Sequence, residues 1–181
     1  MGKSNLIISL FGYAVLLYIT ALLPFHLYEP ARNFNLPNLL WMTHLLLLYI
    51  HEAGHLIFSL FGRTMYILGG SLNQVLVPAV WYIVAKREGS PLSHVAVVIT
   101  GISLVDVSVY VKDAGMLLLP LIGGLSKSHH DWATLFNEWG LIEYAYFTGE
   151  IMFWSGMGLA LFGIYSGVRS SMNRYRLEPI E

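Results

Sequence analysis

The chain has 181 residues, 56% hydrophobic and 12% charged, with a mean hydropathy of +0.61; a soluble domain carries about twice that charged fraction, so lipid is the expected solvent and a single integral membrane domain over residues 1–181 the expected organisation. A net charge of −1 with no local cluster of Lys or Arg excludes nucleic acid as a partner. The absence of cysteine excludes disulfides, iron–sulfur clusters and thiolate metal sites, leaving His, Asp and Glu to hold any metal.

Residues 5–25 are almost all apolar and long enough for one membrane helix, and they lack the small-residue cleavage site of a signal peptide. A loop with Glu29, Pro30, Arg32 and Pro37 follows, and then a second span over 39–61. The segment 66–85 is apolar but interrupted by Gly69, Gly70, Ser71, Asn73 and Gln74 and by Pro78. Irregular backbone at membrane depth survives only beside protein or a wet cavity. This spacing predicts a re-entrant or extended piece next to the functional site, or else an ordinary loop with a helix starting near Leu72. A polar turn containing Lys86 and Arg87 leads to a span over 92–111, whose end carries Asp106, Tyr110 and Asp113 on one helical face. Lys112 beside Asp113 suggests an interfacial ion pair.

The stretch 115–124 is too short to span as a helix. It opens into a polar loop with His129, His130 and Asp131, and then a short helix over 133–139. A last span over 144–168 holds Glu150 and a Gly163/Gly167 pair spaced for helix packing, followed by a polar tail, 169–181, with Arg169, Arg174 and Arg176. The fold expected is therefore all-α, a polytopic bundle of about five to six membrane segments, one or two of them broken or re-entrant. Basic residues near both termini favour a cytoplasmic location for each, which leaves Lys86 and Arg87 on the wrong side unless a segment is re-entrant. On that orientation the second span ends inside, and its second half is cytoplasmic.

That half carries His51-Glu52-Ala53-Gly54-His55. Residues four apart share a helix face, so both imidazoles can aim at one ion while Glu52 sits toward its open side. With this composition a chance match to His-Glu-x-x-His is expected on the order of 0.01 times. An unpaired carboxylate at membrane depth is costly, and a divalent cation removes much of that cost. His44, one heptad earlier, is about 10 Å away along the axis, too far to share the ion. Zinc suits two imidazoles and one carboxylate, with Glu52 as general base for hydrolysis. Asp131, His130, Asp113 and Asp106 compete for the third ligand position.

In this motif the chain resembles the site-2-protease family of intramembrane zinc metalloproteases, as a small bacterial membrane member. The resemblance implies that an aspartate from a later segment completes the metal site. The matching stretch runs from Leu119-Pro120-Leu121 through Gly123-Gly124 to His130-Asp131-Trp132, which carries the role to Asp131, although Trp132 stands where the family has glycine. Asp113 is the second candidate. It also implies a membrane-embedded protein or peptide as substrate, lipid as surroundings, and a multi-pass location in a bacterial inner membrane. His129, His130 or Asn73 would stabilise the oxyanion, and residues 69–74 would pair with an unwound substrate strand. Two other functions fit the same residues: a zinc-dependent lipid amide or ester hydrolase, and a non-enzymatic protein that handles metal or protons.

Overall fold

The computed structural model describes residues 3–177. Six α-helices occur in chain order: α1 (Lys3–His26), α2 (Asn38–Phe58, continued by a 3-10 turn Ser59–Phe61), α3 (Arg63–Arg87), α4 (Leu92–Asp113), the short α5 (Asp131–Glu138) and α6 (Ala145–Leu177). No strand occurs among the described residues. All but α5 belong to segments long and apolar enough to cross a membrane.

Helix α4 is the centre of the bundle. Ala96, Val98, Ile102, Val105, Val109 and Val111 are each at most 2% exposed, whereas α1, α2 and α6 bear large apolar side chains on their outer faces. That inversion of the soluble pattern is what lipid surroundings require. Packing between helices in lipid depends on close backbone approach rather than on expelling water, and glycines supply it here. Gly101 of α4 faces Gly156 and Ala160 of α6, while Gly163 lies on Val98. Gly167 instead accommodates the ring of Tyr13 on α1. The Gly163/Gly167 pair thus packs within the chain, one glycine on each of two neighbours.

Residues 69–74 are not interrupted: α3 is continuous through them and through Pro78. The small residues form a contact face instead of a break. A Cβ on Gly54 would come within 2.2 Å of the Gly69 carbonyl oxygen, so α2 and α3 touch backbone to backbone there. Pro78 has no N–H for the carbonyl one turn earlier, and that carbonyl, on Gln74, accepts a hydrogen bond from Ser103 Oγ at 2.7 Å. A neighbouring hydroxyl therefore satisfies the group whose exposure was expected to break the helix. The stretch 115–124 forms no span; it is a loop with a 3-10 turn at Ile122–Gly124 and positive φ at Leu117, Gly123 and Gly124.

Ser9 Oγ lies 2.7 Å from Ser171 Oγ, and His94 Nδ1 lies 2.9 Å from Ser166 Oγ. The start of α1, the α3–α4 turn with Lys86 and Arg87, and the C-terminal half of α6 with Arg169 and Arg174 consequently share one end of the bundle. At the other end, the buried Lys112 ammonium donates to the Tyr28 carbonyl at 2.8 Å and pairs with Glu150. It pairs across to α6 and not with adjacent Asp113. Since α1 finishes at this second end and α2 runs antiparallel to α3 toward it, residues 27–37 double back between them. That reversal removes the conflict over Lys86 and Arg87, and it moves the second half of α2 to the end opposite the basic one, not to the basic side as expected.

Candidate metal centre

Helix α2 carries His51, Glu52 and His55 on adjoining positions of its last turns. Their ligand-capable atoms lie within 4.8 Å of one another, an arrangement that could hold a metal ion. His51 is buried, His55 half-buried and Glu52 exposed toward the cavity described below. Gly70 of α3 makes room for both rings: a Cβ there would sit 2.4 Å from His51 Nε2 and 2.6 Å from His55 Nε2.

Asp131, the first residue of α5, reaches the same point. Its Oδ2 is 3.2 Å from His51 Nε2 and 3.4 Å from His55 Nε2. For metal–ligand bonds of about 2.0–2.1 Å, the edge of a coordination tetrahedron is about 3.3 Å, so both separations have the length of such edges. The far side of each ring fixes its tautomer. His55 Nδ1 is 2.8 Å from the Tyr66 carbonyl oxygen, which can only accept, so this nitrogen carries the proton. His51 Nδ1 is 3.1 Å from Gln74 Oε1, and the orientation of that amide is set by its Nε2 donating to Asp106 Oδ2 at 2.8 Å. In the neutral rings both Nε2 atoms therefore present lone pairs to a carboxylate oxygen. Only a cation or protons on both rings make that convergence favourable, and the donor set fits a divalent ion. When the rings instead carry protons, burial still pushes the Asp131 carboxyl up, but hydrogen bonds from His51 and His55 and their charge outweigh this and hold it below the ordinary carboxylate range.

Three residues, Trp132, Glu138 and His130, place Asp131. Trp132 Nε1 donates to Ser71 Oγ on α3 at 3.0 Å, and Glu138 pairs with Arg63 at the start of α3. His130, fully buried, caps α5 by accepting from Ala133 N at 3.1 Å and stacks on Tyr110 at 4.3 Å between ring centroids. Because its Nδ1 accepts, its Nε2 carries the proton; it lies 3.3 Å from Asp113 Oδ2 without the alignment of a hydrogen bond. Asp113 in turn accepts from Leu118 N at 2.7 Å and Leu119 N at 3.0 Å. The structure thus brings His51, Glu52, His55 and Asp131 together and leaves Asp113 and His130 as a clamp on the loop before α5. His129 is exposed and hydrogen-bonds within its own loop. Asn73 donates to the Ile50 carbonyl at 2.7 Å, tying α3 to α2, so its amide is engaged in helix pairing and not turned toward the cluster.

Sequence reasoning assigned no part to Gln74 at the cluster. Asp106, expected to compete as a ligand, is one hydrogen-bonded residue removed from it, and it also holds His44 Nδ1 at 2.7 Å. The cluster opens into a cavity of about 810 Å³ whose wall is mainly apolar, with Phe34, Trp41, Leu48, Ile67 and Leu121 among its lining. Comparison of the chain with protein-family models, with curated proteins and with solved structures gives no match, and the likeness to site-2 proteases therefore rests on the residues named above alone.

Proposed function

We propose that the protein is an intramembrane zinc-dependent hydrolase, a metalloprotease that cleaves membrane-embedded peptide bonds. The observation that supports this most is the meeting of two imidazole Nε2 atoms with one carboxylate oxygen, each nitrogen at a tetrahedral-edge separation from that oxygen and each imidazole backed by an acceptor. Zinc fits two nitrogens and one oxygen with a fourth position open, and the chain offers no thiolate to favour a softer site. When bound, zinc supplies Lewis acidity at that open position. Glu52 takes a proton from the attacking water and returns it to the leaving amine. His51, His55 and Asp131 hold the ion, and Gly70 keeps both rings in register.

The apolar cavity suits a hydrophobic peptide. Its carbonyls must leave their own helix before attack, since helical hydrogen bonds hide them. Helix α3 cannot pair with the freed strand because its backbone is internally bonded; Leu119, Pro120 and Leu121, outside any helix, line the cavity instead. By the positive-inside rule the basic end is cytoplasmic. In a bacterial inner membrane this puts the metal site in the periplasmic half. A second reading, a lipid amide or ester hydrolase, draws support from the wide apolar wall.

The test is zinc content and turnover of detergent-purified protein, with a transmembrane peptide and a phospholipid offered in parallel. Glu52→Gln is expected to keep zinc and lose turnover, and Asp131→Ala to lose zinc. Cleavage of phospholipid alone selects the second reading, and wild type that holds no zinc in chelator-free buffer overturns both.

A further inference from the structure

A line of polar side chains runs from the metal cluster along the wall of the cavity, and its hydrogen bonds have a fixed sense. His51 Nδ1–H donates to Gln74 Oε1 at 3.1 Å; Gln74 Nε2–H donates to Asp106 Oδ2 at 2.8 Å; His44 Nδ1–H donates to Asp106 Oδ1 at 2.7 Å. Gln74 is 3% and Asp106 7% exposed, at a depth where each polar group carries a cost unless it is fully bonded. Three helices contribute: α2 gives His44 and His51, α3 gives Gln74, α4 gives Asp106. Ser103, also on α4, holds the Gln74 main-chain carbonyl and fixes the turn that aims its amide.

We infer that Gln74 and Asp106 are positioning residues for His51. The Asp106 carboxylate acts through the Gln74 amide, holding the His51 ring in the tautomer and rotation that leave Nε2 free to ligate, and His44 is the donor that keeps Asp106 tolerable at this depth. A carboxylate behind a ligating histidine raises its basicity and orients it; here an amide is interposed, which lets one acid serve His51 while also bonding His44. His55 has no such line, because the Tyr66 carbonyl backs it alone. The two ligands are therefore unequal: His51 depends on residues of α3 and α4, and His55 only on the first turn of α3.

The inference rests on the metal site proposed above but not on hydrolysis. Its test is zinc affinity, measured by competition with a chromogenic chelator on detergent-purified protein whose helicity and elution volume match wild type. Gln74→Ala and Asp106→Asn are each expected to weaken zinc by about 10- to 100-fold. The decisive comparison is a pair of double-mutant cycles. In a His51→Ala background, Gln74→Ala should change the residual affinity no further, whereas in a His55→Ala background it should keep its whole factor. In cobalt-loaded protein Gln74→Ala should also shift the visible ligand-field bands, which a loss of packing alone would not do. Wild-type affinity in Gln74→Ala, or equal losses in the two backgrounds, would overturn the inference. Wild type that binds zinc and shows this coupling but cleaves nothing refutes the hydrolase and leaves the relay standing; wild type without zinc affinity removes both.

Discussion

Gly70→Ala separates the metal site from the fold. The added methyl would lie 2.4 Å from His51 Nε2 and 2.6 Å from His55 Nε2, so each ring tip must retreat about 1 Å to reach ordinary contact. Metal sites hold their distances within about 0.2 Å, and a displacement several times larger at two ligands should lower zinc affinity by at least about 100-fold, or about 2.7 kcal/mol. Stability should change little. The atoms met are the ends of rotatable side chains, and the gain of up to about 1 kcal/mol from replacing a helical glycine offsets part of an overpacking cost of about 1–3 kcal/mol. Gly54→Ala is the counterpart: its methyl meets the Gly69 carbonyl oxygen at 2.2 Å, backbone of the adjoining helix that cannot turn aside. That variant should lose folded protein first and metal as a consequence. Gly12→Ala and Gly158→Ala, with nothing within 4 Å, are the controls and should be neutral or slightly stabilising. The assay pairs zinc competition with thermal unfolding in detergent. Gly70→Ala that binds zinc as tightly as wild type would refute the geometry of the cluster.

Removal of the loop clamp should act on Asp131 from a distance: His130→Ala is expected to weaken zinc without touching the ion, read by the same competition assay. Asp113→Ala strands the Leu118 and Leu119 amides, each costing about 1–3 kcal/mol where water cannot replace the acceptor, and should show as a lower melting temperature together with proteolysis in the loop 114–130. Lys112→Met leaves Glu150 without its buried partner and should destabilise more than the Lys112→Met/Glu150→Gln double variant, measured by unfolding in detergent. Because the chain has no cysteine, single cysteines at Glu88 and Glu143 can be labelled with an impermeant maleimide, and in intact cells only the second should react.

The spans were legible because apolar run length is a one-dimensional signal, and α1 to α4 lie close to where that signal begins and ends; α6 instead runs on to Leu177, through the start of the polar tail expected from 169. The failures share a cause. Gly69, Gly70 and Pro78 weaken an isolated helix, so local propensity argues for a break; in lipid the same glycines let α2 approach α3, and Ser103 takes up the carbonyl that Pro78 leaves free. Neither compensation lies near residues 69–78 in the chain. The motif histidines were legible from their spacing, since four residues bring two side chains to one face whatever surrounds the helix. Asp131 was not readable from spacing, being a full 76 residues beyond His55. The resemblance to site-2 proteases placed it ahead of Asp113, and the physical reason lies in three dimensions: Asp113 spends both oxygens on loop amides, while Asp131 turns Oδ2 to the two rings.

The placement of charge explains why such a cluster is tolerable inside an apolar bundle. Asp106 lies between His44 and the Gln74 amide and has a donor on each oxygen, so its cost is met whether or not a metal is present. Asp131 differs, because its Oδ2 faces only the two rings, and these offer lone pairs in the tautomers that Tyr66 and Gln74 impose. Without a cation the rings must take up protons to hold it. With a divalent ion, the charges of Glu52 and Asp131 together balance the ion, leaving a site with no net charge in a medium where a residual charge is expensive. Metal should accordingly stabilise the packing of α5 against α2 and α3 more than the outer helices. Hydrogen exchange provides the measurement: added zinc should protect amides of residues 131–138 while leaving α1 unchanged. Uniform protection, or none, would mean that Asp131 is held by the clamp alone and that the ion plays no part in docking α5.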